Sequence, residues 1–411
     1  MLQVLIKGSL LLAACILILI TMAKANDNTQ ALRAVSESTN QFSSSFFKSV
    51  AEEKSDNLIM SPLSAAVVLA MAAYGARGET ENQFRKLLHL PSPDSFGTSG
   101  YQMLIDNLNN VEENKLVLAN KVFSAEQFGI KRSYKDLTEN YFRSVTQLVN
   151  FSKSEEAANI INTWVEQTTN NLIKNLISPG DVDSTTSLVL VNAVYFKGQW
   201  KNKFNPRLTH DMPFHINKNT VKNIPTMYRQ GTYNYGEIPD MNAKFIEIPY
   251  KGDELSIVII LPNEIDGLAA VEKKLENSSI SEILRHGFSR DVNLYLPKFK
   301  VESTIPLNSI LQKMGLTDAF TTRANFSGIA DARLLISKVI QKAFIEVNEE
   351  GSEAAAATEL EVVLLSAPLD PNEIMINHPF YYSIVKTFHD KEANVRNVET
   401  IFAGHVCEPQ L

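Results

Sequence analysis

The chain predicts a single α+β domain. Three observations lead there. Helical periodicity dominates the first half and strand-like runs the second. The two kinds of element do not alternate as they do in a doubly wound parallel sheet. No linker, low-complexity tract or internal repeat divides residues 30–411. With 411 residues, 44% of them apolar and 21% charged, the chain can bury a large core.

The N-terminus reads as an export signal. Lys7 gives a positive start, residues 9–22 form a short apolar core, and Ala23-Lys24-Ala25 is an Ala-x-Ala cleavage signature. Residues 1–25 are therefore expected to leave a mature domain of residues 26–411 in the extracellular fluid. The apolar run is shorter than the roughly 20 residues that a bilayer span needs, so no membrane anchor is expected. Apolar residues at helical spacing then cover about 36–53, 62–75, 79–89 and 155–174. In the last of these, Ile160, Ile161, Trp164, Val165, Leu172 and Ile173 recur at three- and four-residue steps. Ser61-Pro62 reads as a cap followed by proline at the first helical position. Runs rich in Val, Ile, Phe and Tyr predict strands at 116–124, 188–196, 245–249, 255–261, 292–296, 335–347, 374–376, 381–385 and 401–403.

The net charge of −7 argues against a general nucleic-acid binder. Cys15 departs with the signal, which leaves Cys407 alone and excludes an internal disulfide in the mature chain. Three Asn-x-Ser sequons, at Asn150, Asn277 and Asn325, are glycan acceptors if exposed, and Asn277 has the most polar surroundings. No catalytic constellation of an enzyme is present: there is no Gly-x-Ser-x-Gly, His-Glu-x-x-His, Gly-x-x-x-x-Gly-Lys-Ser/Thr or Cys-x-x-Cys. The seven histidines show no metal-ligand spacing, and neither a metal nor a cofactor is expected.

The segment from Glu349 to Ser366 carries the functional signal. If Ser352 onward is extended, Ser352, Ala354, Ala356, Thr358, Leu360, Val362 and Leu364 share one face. Glu353, Ala355, Ala357, Glu359, Glu361 and Val363 share the other, so the charges are all on one side. No proline occurs before Pro368, so each backbone N–H could join a ladder. Glu349-Glu350-Gly351 nevertheless breaks the preceding strand with a permissive glycine. A long connection patterned as a strand but bounded by a hinge predicts a two-state element. A helical or disordered alanine-rich loop is the alternative.

Several motifs resemble the serpins, serine-protease inhibitors that trap their target by inserting a cleaved loop into their own sheet. Residues 57–64 (NLIMSPLS), 191–200 (VNAVYFKGQW), 296–300 (LPKFK), 314–320 (MGLTDAF), 343–351 (AFIEVNEEG) and 374–384 (IMINHPFYYSI) are similar to family motifs, in family order and spacing. The wording is most like arthropod haemolymph serpins. The resemblance implies a single-domain serpin fold, a monomer with three β-sheets, about eight or nine helices and an exposed reactive-centre loop at about 350–373. It implies a hinge of Glu349, Glu350, Gly351, Ser352, Glu353, Ala354, Ala355, Ala356 and Ala357, and a scissile bond between Leu365 and Ser366, with Leu364 one residue away as the other register. It also implies a polar cluster under the sheet at Ser61, Ser64, Asn192 and Gln341, and an aromatic at the loop entry, Trp200. Gln341 stands where the family often has histidine, which removes a histidine pH switch from that cluster.

The implied partner is an extracellular serine protease held as a covalent acyl complex. Leu365 suits an apolar specificity pocket, so a chymotrypsin-like target is expected first and an elastase- or cathepsin-G-like one second. Positions 352–368 contain no Lys or Arg, against a trypsin-like target. Residues 90–114, where some family members carry a basic heparin site, also have neither, which argues against heparin activation. The competing reading is a non-inhibitory serpin acting as a carrier, chaperone or storage protein. Such relatives tend to place proline, bulk or charge on the inward face of the hinge, and this hinge has none.

Overall fold

The computed structural model describes residues 2–111, 113–352, 372–390 and 395–411. Among them, α-helices run over Leu2–Ala51 (α1), Pro62–Gly75 (α2), Gly78–Leu88 (α3), Asp94–Asn109 (α4), Arg132–Phe142 (α5), Ser154–Thr168 (α6), Leu268–Leu275 (α7), Ile280–Arg285 (α8) and Asn308–Lys313 (α9). The early strands are Leu58–Met60 (β1), Lys115–Ala125 (β2), Gln147–Val149 (β3), Leu188–Gln199 (β4), His210–Asn217 (β5), Thr220–Ile238 (β6), Ala243–Pro249 (β7) and Leu255–Pro262 (β8). The later ones are Phe288–Pro297 (β9), Phe299–Pro306 (β10), Ile336–Asn348 (β11), Gly351–Ser352 (β12), Asn372–Met375 (β13), Phe380–Asp390 (β14) and Val395–Val406 (β15).

One sheet runs β10-β11-β12-β4-β2-β3. The other runs β1-β15-β14-β8-β7-β6-β9-β13, with β5 on β6. Three sheets are expected; the second and third appear here as one hydrogen-bonded surface because the 19-residue strand β6 pairs with β7 over one stretch and with β9 over a longer one. Helix α2 is buried along its whole length between the layers. Ser61 caps it by accepting from the Ser64 N–H, and Pro62 supplies the fixed φ of the first turn.

The six-stranded sheet has a core on each face, and β4 divides its side chains between them by strict alternation. Leu188, Leu190, Val194 and Phe196 enter the main core. Val189, Val191, Ala193 and Tyr195 enter a second cluster roofed by Ala157, Ala158, Ile161 and Val165 of α6. Helix α6 ends earlier than its apolar periodicity predicts. Asn170, Asn171 and Asn175 take positive φ, so residues after Thr169 leave the helix and cross the sheet as an irregular strap; Leu172 is exposed while Ile173 joins the second cluster. Helices α4, α5, α7, α8 and α9 also fall outside the expected helical stretches. Helices α4 and α5 begin without a side-chain cap bond, α7 and α9 are short, and α8 starts at a Ser279–Glu282 capping box, a start signal present in the sequence.

Candidate functional site

Strands β4 and β11 lie side by side in parallel from Leu188–Ile336 to Tyr195–Phe344. At the far end of this seam the two-residue strand β12 is wedged between them. Ser352 pairs antiparallel with Val347 on one side and Gly198 on the other, and Gly351 pairs with Asn348 and Gln199. The ladder is therefore one strand wider at its end than along its length. The expected exposed loop of about 350–373 is shorter at both ends, because Gly351 and Ser352 are buried strand residues and Asn372 and Glu373 belong to β13.

Local chemistry fixes that wedge. Gly351 has φ +144° and lies so close to the Gly198 carbonyl that no Cβ fits. The Trp200 indole N–H donates to the Asn348 carbonyl at 2.8 Å, and the Trp200 and Phe204 amides donate to the Glu350 and Glu349 carbonyls at 2.9 and 3.0 Å. Trp200 stacks on Tyr250 at 4.7 Å between ring centroids. Tyr250 in turn places its hydroxyl 2.7 Å from that of Ser352. Burial pushes the Tyr250 phenol up, so it stays a neutral hydrogen-bonding partner. Glu349 meets Lys298 at 2.9 Å and accepts from Thr209 at 2.9 Å; Glu350 meets Lys203 at 2.8 Å. Burial alone would raise the Glu349 carboxyl, but Lys298 and the hydrogen bonds hold it below the usual range. Tyr250, Lys203 and Thr209 carried no signal in the sequence, being single polar or aromatic residues far away along the chain. Lys298 lies inside the motif 296–300, but nothing there marks it as the partner of Glu349.

Halfway along the seam, Asn120, Asn192 and Gln341 stand in one row across β2, β4 and β11. The Asn192 amide donates to Ser64 Oγ at 2.5 Å and also to Asn120 Oδ1; the Gln341 amide donates to the Ser61 carbonyl at 2.8 Å and to Asn192 Oδ1. Ser61 N–H donates to Gln341 Oε1 at 2.8 Å, and Ser61 Oγ donates to the Ile401 carbonyl at 2.6 Å. The predicted cluster of Ser61, Ser64, Asn192 and Gln341 is thus brought together, and Gln341 supplies both a donor and an acceptor. Asn120 completes it. A lone asparagine in the apolar run Leu116–Phe123 was the available signal. The Gln341–Asn192 bond is the side-chain link that crosses the seam at this level.

Glu353, Ala354, Ala355, Ala356, Ala357, Leu365 and Ser366 lie outside the described residues. Of the sequons, Asn277 is exposed in the turn between α7 and α8 and Asn325 is exposed, whereas Asn150 is half-buried with its amide on Glu126 at 2.6 Å. Cys407 is partly buried against the Ser55 carbonyl, and burial pushes its thiol up to about 11, an unreactive setting. Among the described residues, no group of three His, Cys, Asp or Glu is arranged to hold a metal ion.

The Serpin (serine protease inhibitor) family model matches residues 37–409. The chain belongs to the serpin family. Human Serpin B3 is 38% identical over 374 residues, which covers 86% of this chain and 96% of that one. Two Bombyx mori serpins, antichymotrypsin-2 and antitrypsin, are each 37% identical, each across 82% of this chain and across 90% and 87% of their own lengths. The crystal structure of Serpin48 of the insect Tenebrio molitor superposes with a TM-score of 0.83 at 34% identity, over 92% of this chain and 99% of that one. Serpins are in the main protease inhibitors and not enzymes; those that inhibit serine proteases do so through covalent complexes.

Proposed function

We propose that this serpin is a secreted, suicide-type inhibitor of an extracellular chymotrypsin-like serine protease. The observation that supports it most is the wedge of Gly351–Ser352 between β4 and β11 above a closed seam. Continued along the seam, the register of Ser352 would bring Thr358 between Asn192 and Gln341, into the polar row, and Leu365 opposite Leu334, just past the start of β11. The stretch from hinge to reactive bond matches the length of the seam, and its inward residues are small where they enter first.

The chemistry then follows. The protease serine Oγ attacks the Leu365 carbonyl carbon; an ester forms there, the amide bond to Ser366 breaks, and the Ser366 amine takes the proton and departs as a new N-terminus. The freed upstream segment, from Glu353 onward, adds as an antiparallel strand between β4 and β11. Each of those strands exchanges one neighbour for another and the sheet gains a full ladder. The attached protease is carried along, and its active site is distorted before water can cleave the ester. Equal likeness to a chymotrypsin and a trypsin inhibitor means that overall identity does not choose the target; Leu365 and the absence of Lys and Arg in the loop do.

Secretion rests on the signal at residues 1–25, with a cut before Asn26. Asn277 and Asn325 are the preferred glycan acceptors, and the protein acts as a monomer without heparin or any cofactor. A carrier, chaperone or storage role is disfavoured by the small, uncharged inward face of the hinge. Incubation with chymotrypsin followed by a denaturing gel and intact mass tests the proposal. An SDS-stable complex and a released peptide beginning at Ser366 are expected; clean cleavage with active protease would refute trapping.

A further inference from the structure

The irregular strap between α6 and β4 is fastened to the far side of the seam by two lysines of β11. Lys338 pairs with Asp181 in the short 3₁₀ turn Pro179–Asp181, and Lys342 Nζ donates to the Lys174 carbonyl at 2.9 Å. Apolar packing ties the strap to β11 through one residue. The second core cluster, which holds Ile173, Leu176, Ile177 and Val182 of the strap, draws on β2, β3 and β4 for its sheet residues and on β11 for Ile340 alone. Asn162 of α6 adds two bonds to Ile177, at 2.8 and 3.0 Å. The strap therefore moves with β4 and α6, and apart from Ile340 its polar contacts are what hold it to β11.

The Asp181 carboxylate is also set in advance. The Ser178 N–H and Oγ donate to its Oδ2 at 2.7 and 2.9 Å, which leaves Oδ1 facing Lys338. Burial alone would raise this carboxyl, but Lys338 and Ser178 hold it below the usual range. Admitting a strand moves β11 away from β4 by about 4.8 Å, one strand spacing. Contacts of hydrogen-bond length do not survive that shift. The seam cannot part while both lysines stay on the strap.

We propose that Lys338–Asp181, seconded by Lys342, is an ionic strap across the insertion seam, and that Lys338, Lys342 and Asp181 are positioning residues that set the insertion rate. The inference rests on the trapping function proposed above. Its effect is on timing: the strap keeps the uncut protein closed and slows, by a fixed factor, the insertion that competes with hydrolysis of the acyl-enzyme.

The test uses the full chain, cut in the loop with chymotrypsin, and follows insertion by stopped-flow tryptophan fluorescence and by the gain in resistance to thermal unfolding. Lys338→Gln is expected to insert about three- to fivefold faster than wild type, the factor that loss of one partly exposed ion pair gives. Lys338→Arg, which keeps the charge, is expected near the wild-type rate. High salt is expected to speed wild type and leave Lys338→Gln unchanged, a response that a merely structural side chain would not show. Lys342 also pairs with Glu302 of β10 at 2.7 Å. Lys342→Gln is thus a second route to the faster rate should Lys338→Gln fold poorly, with Glu302→Gln as the control that leaves the Lys174 contact in place. If wild type inserts but Lys338→Gln or Lys342→Gln inserts no faster, the strap is refuted while trapping stands. If cut wild type fails to insert, both fall.

Discussion

The hydroxyl of Tyr250 and the hydroxyl of Ser352 lie 2.7 Å apart, both fully buried, so that the last residue of β12 is bonded to the core. Removing the phenol oxygen leaves the Ser352 hydroxyl without its partner at a cost of about 1–2 kcal/mol. Tyr250→Phe is therefore expected to speed amide exchange at Gly351 and Ser352 by about five- to thirtyfold without changing the rest of β11. Exchange mass spectrometry on the uncut protein checks this, and unchanged protection would show that the hydroxyl pair does not hold the wedge.

Gly351 is constrained twice over, by its φ of +144° and by the Gly198 carbonyl. Gly351→Ala is expected to expel β12 and free Glu349 from Lys298, lowering uncut stability by about 1–3 kcal/mol. The readouts are denaturant unfolding and the yield of covalent complex, which should fall as the hinge starts from outside the sheet.

Ala354 would enter opposite Ile345 and Phe196, both fully or nearly fully buried, if the register of Ser352 continues. An arginine there would be desolvated with no partner, a cost of several kcal/mol. Ala354→Arg should turn the inhibitor into a substrate: on a denaturing gel, cleaved serpin should accumulate with chymotrypsin still active. Wild-type trapping by this variant would overturn the assignment of the inward face.

Glu399 on β15 is fully buried and accepts from Thr39 Oγ1 at 2.6 Å, and burial pushes its carboxyl up to about 8. Its folded-state value exceeds the unfolded one near 4.5, so folding takes up a proton between the two. The stability that this proton allows is fully present below about pH 4.5 and is lost as pH rises through 8. Glu399→Gln should flatten that part of the profile and raise stability above pH 8 by up to about 5 kcal/mol, measured by thermal or denaturant unfolding across pH 5–9. An unchanged profile would show that Glu399 keeps its charge.

Sequence pattern reached the elements whose signal is local. The largely apolar β4, the capped α2 and the strand at β11 follow from residue type and spacing, and the motif likeness pointed to Ser61, Ser64, Asn192, Gln341 and Trp200. What it could not reach depends on pairing between distant segments. Tyr250 under Ser352 and Lys298 on Glu349 are contacts made by register, not by neighbours in the chain. The end of α6 was misplaced for a local reason: the apolar spacing of Leu172 and Ile173 continued past asparagines whose left-handed φ had already ended the helix.

The seam between β4 and β11 is closed by their own parallel ladder, and one strand let in between them would leave neither neighbour with an edge to offer. An inhibitor that works by the proposed insertion has no turnover number. On the function proposed above, each copy would be spent on one encounter, so its reach would be counted in molecules present and restored only by synthesis. Abundance, more than affinity, becomes the setting through which such a defence is adjusted.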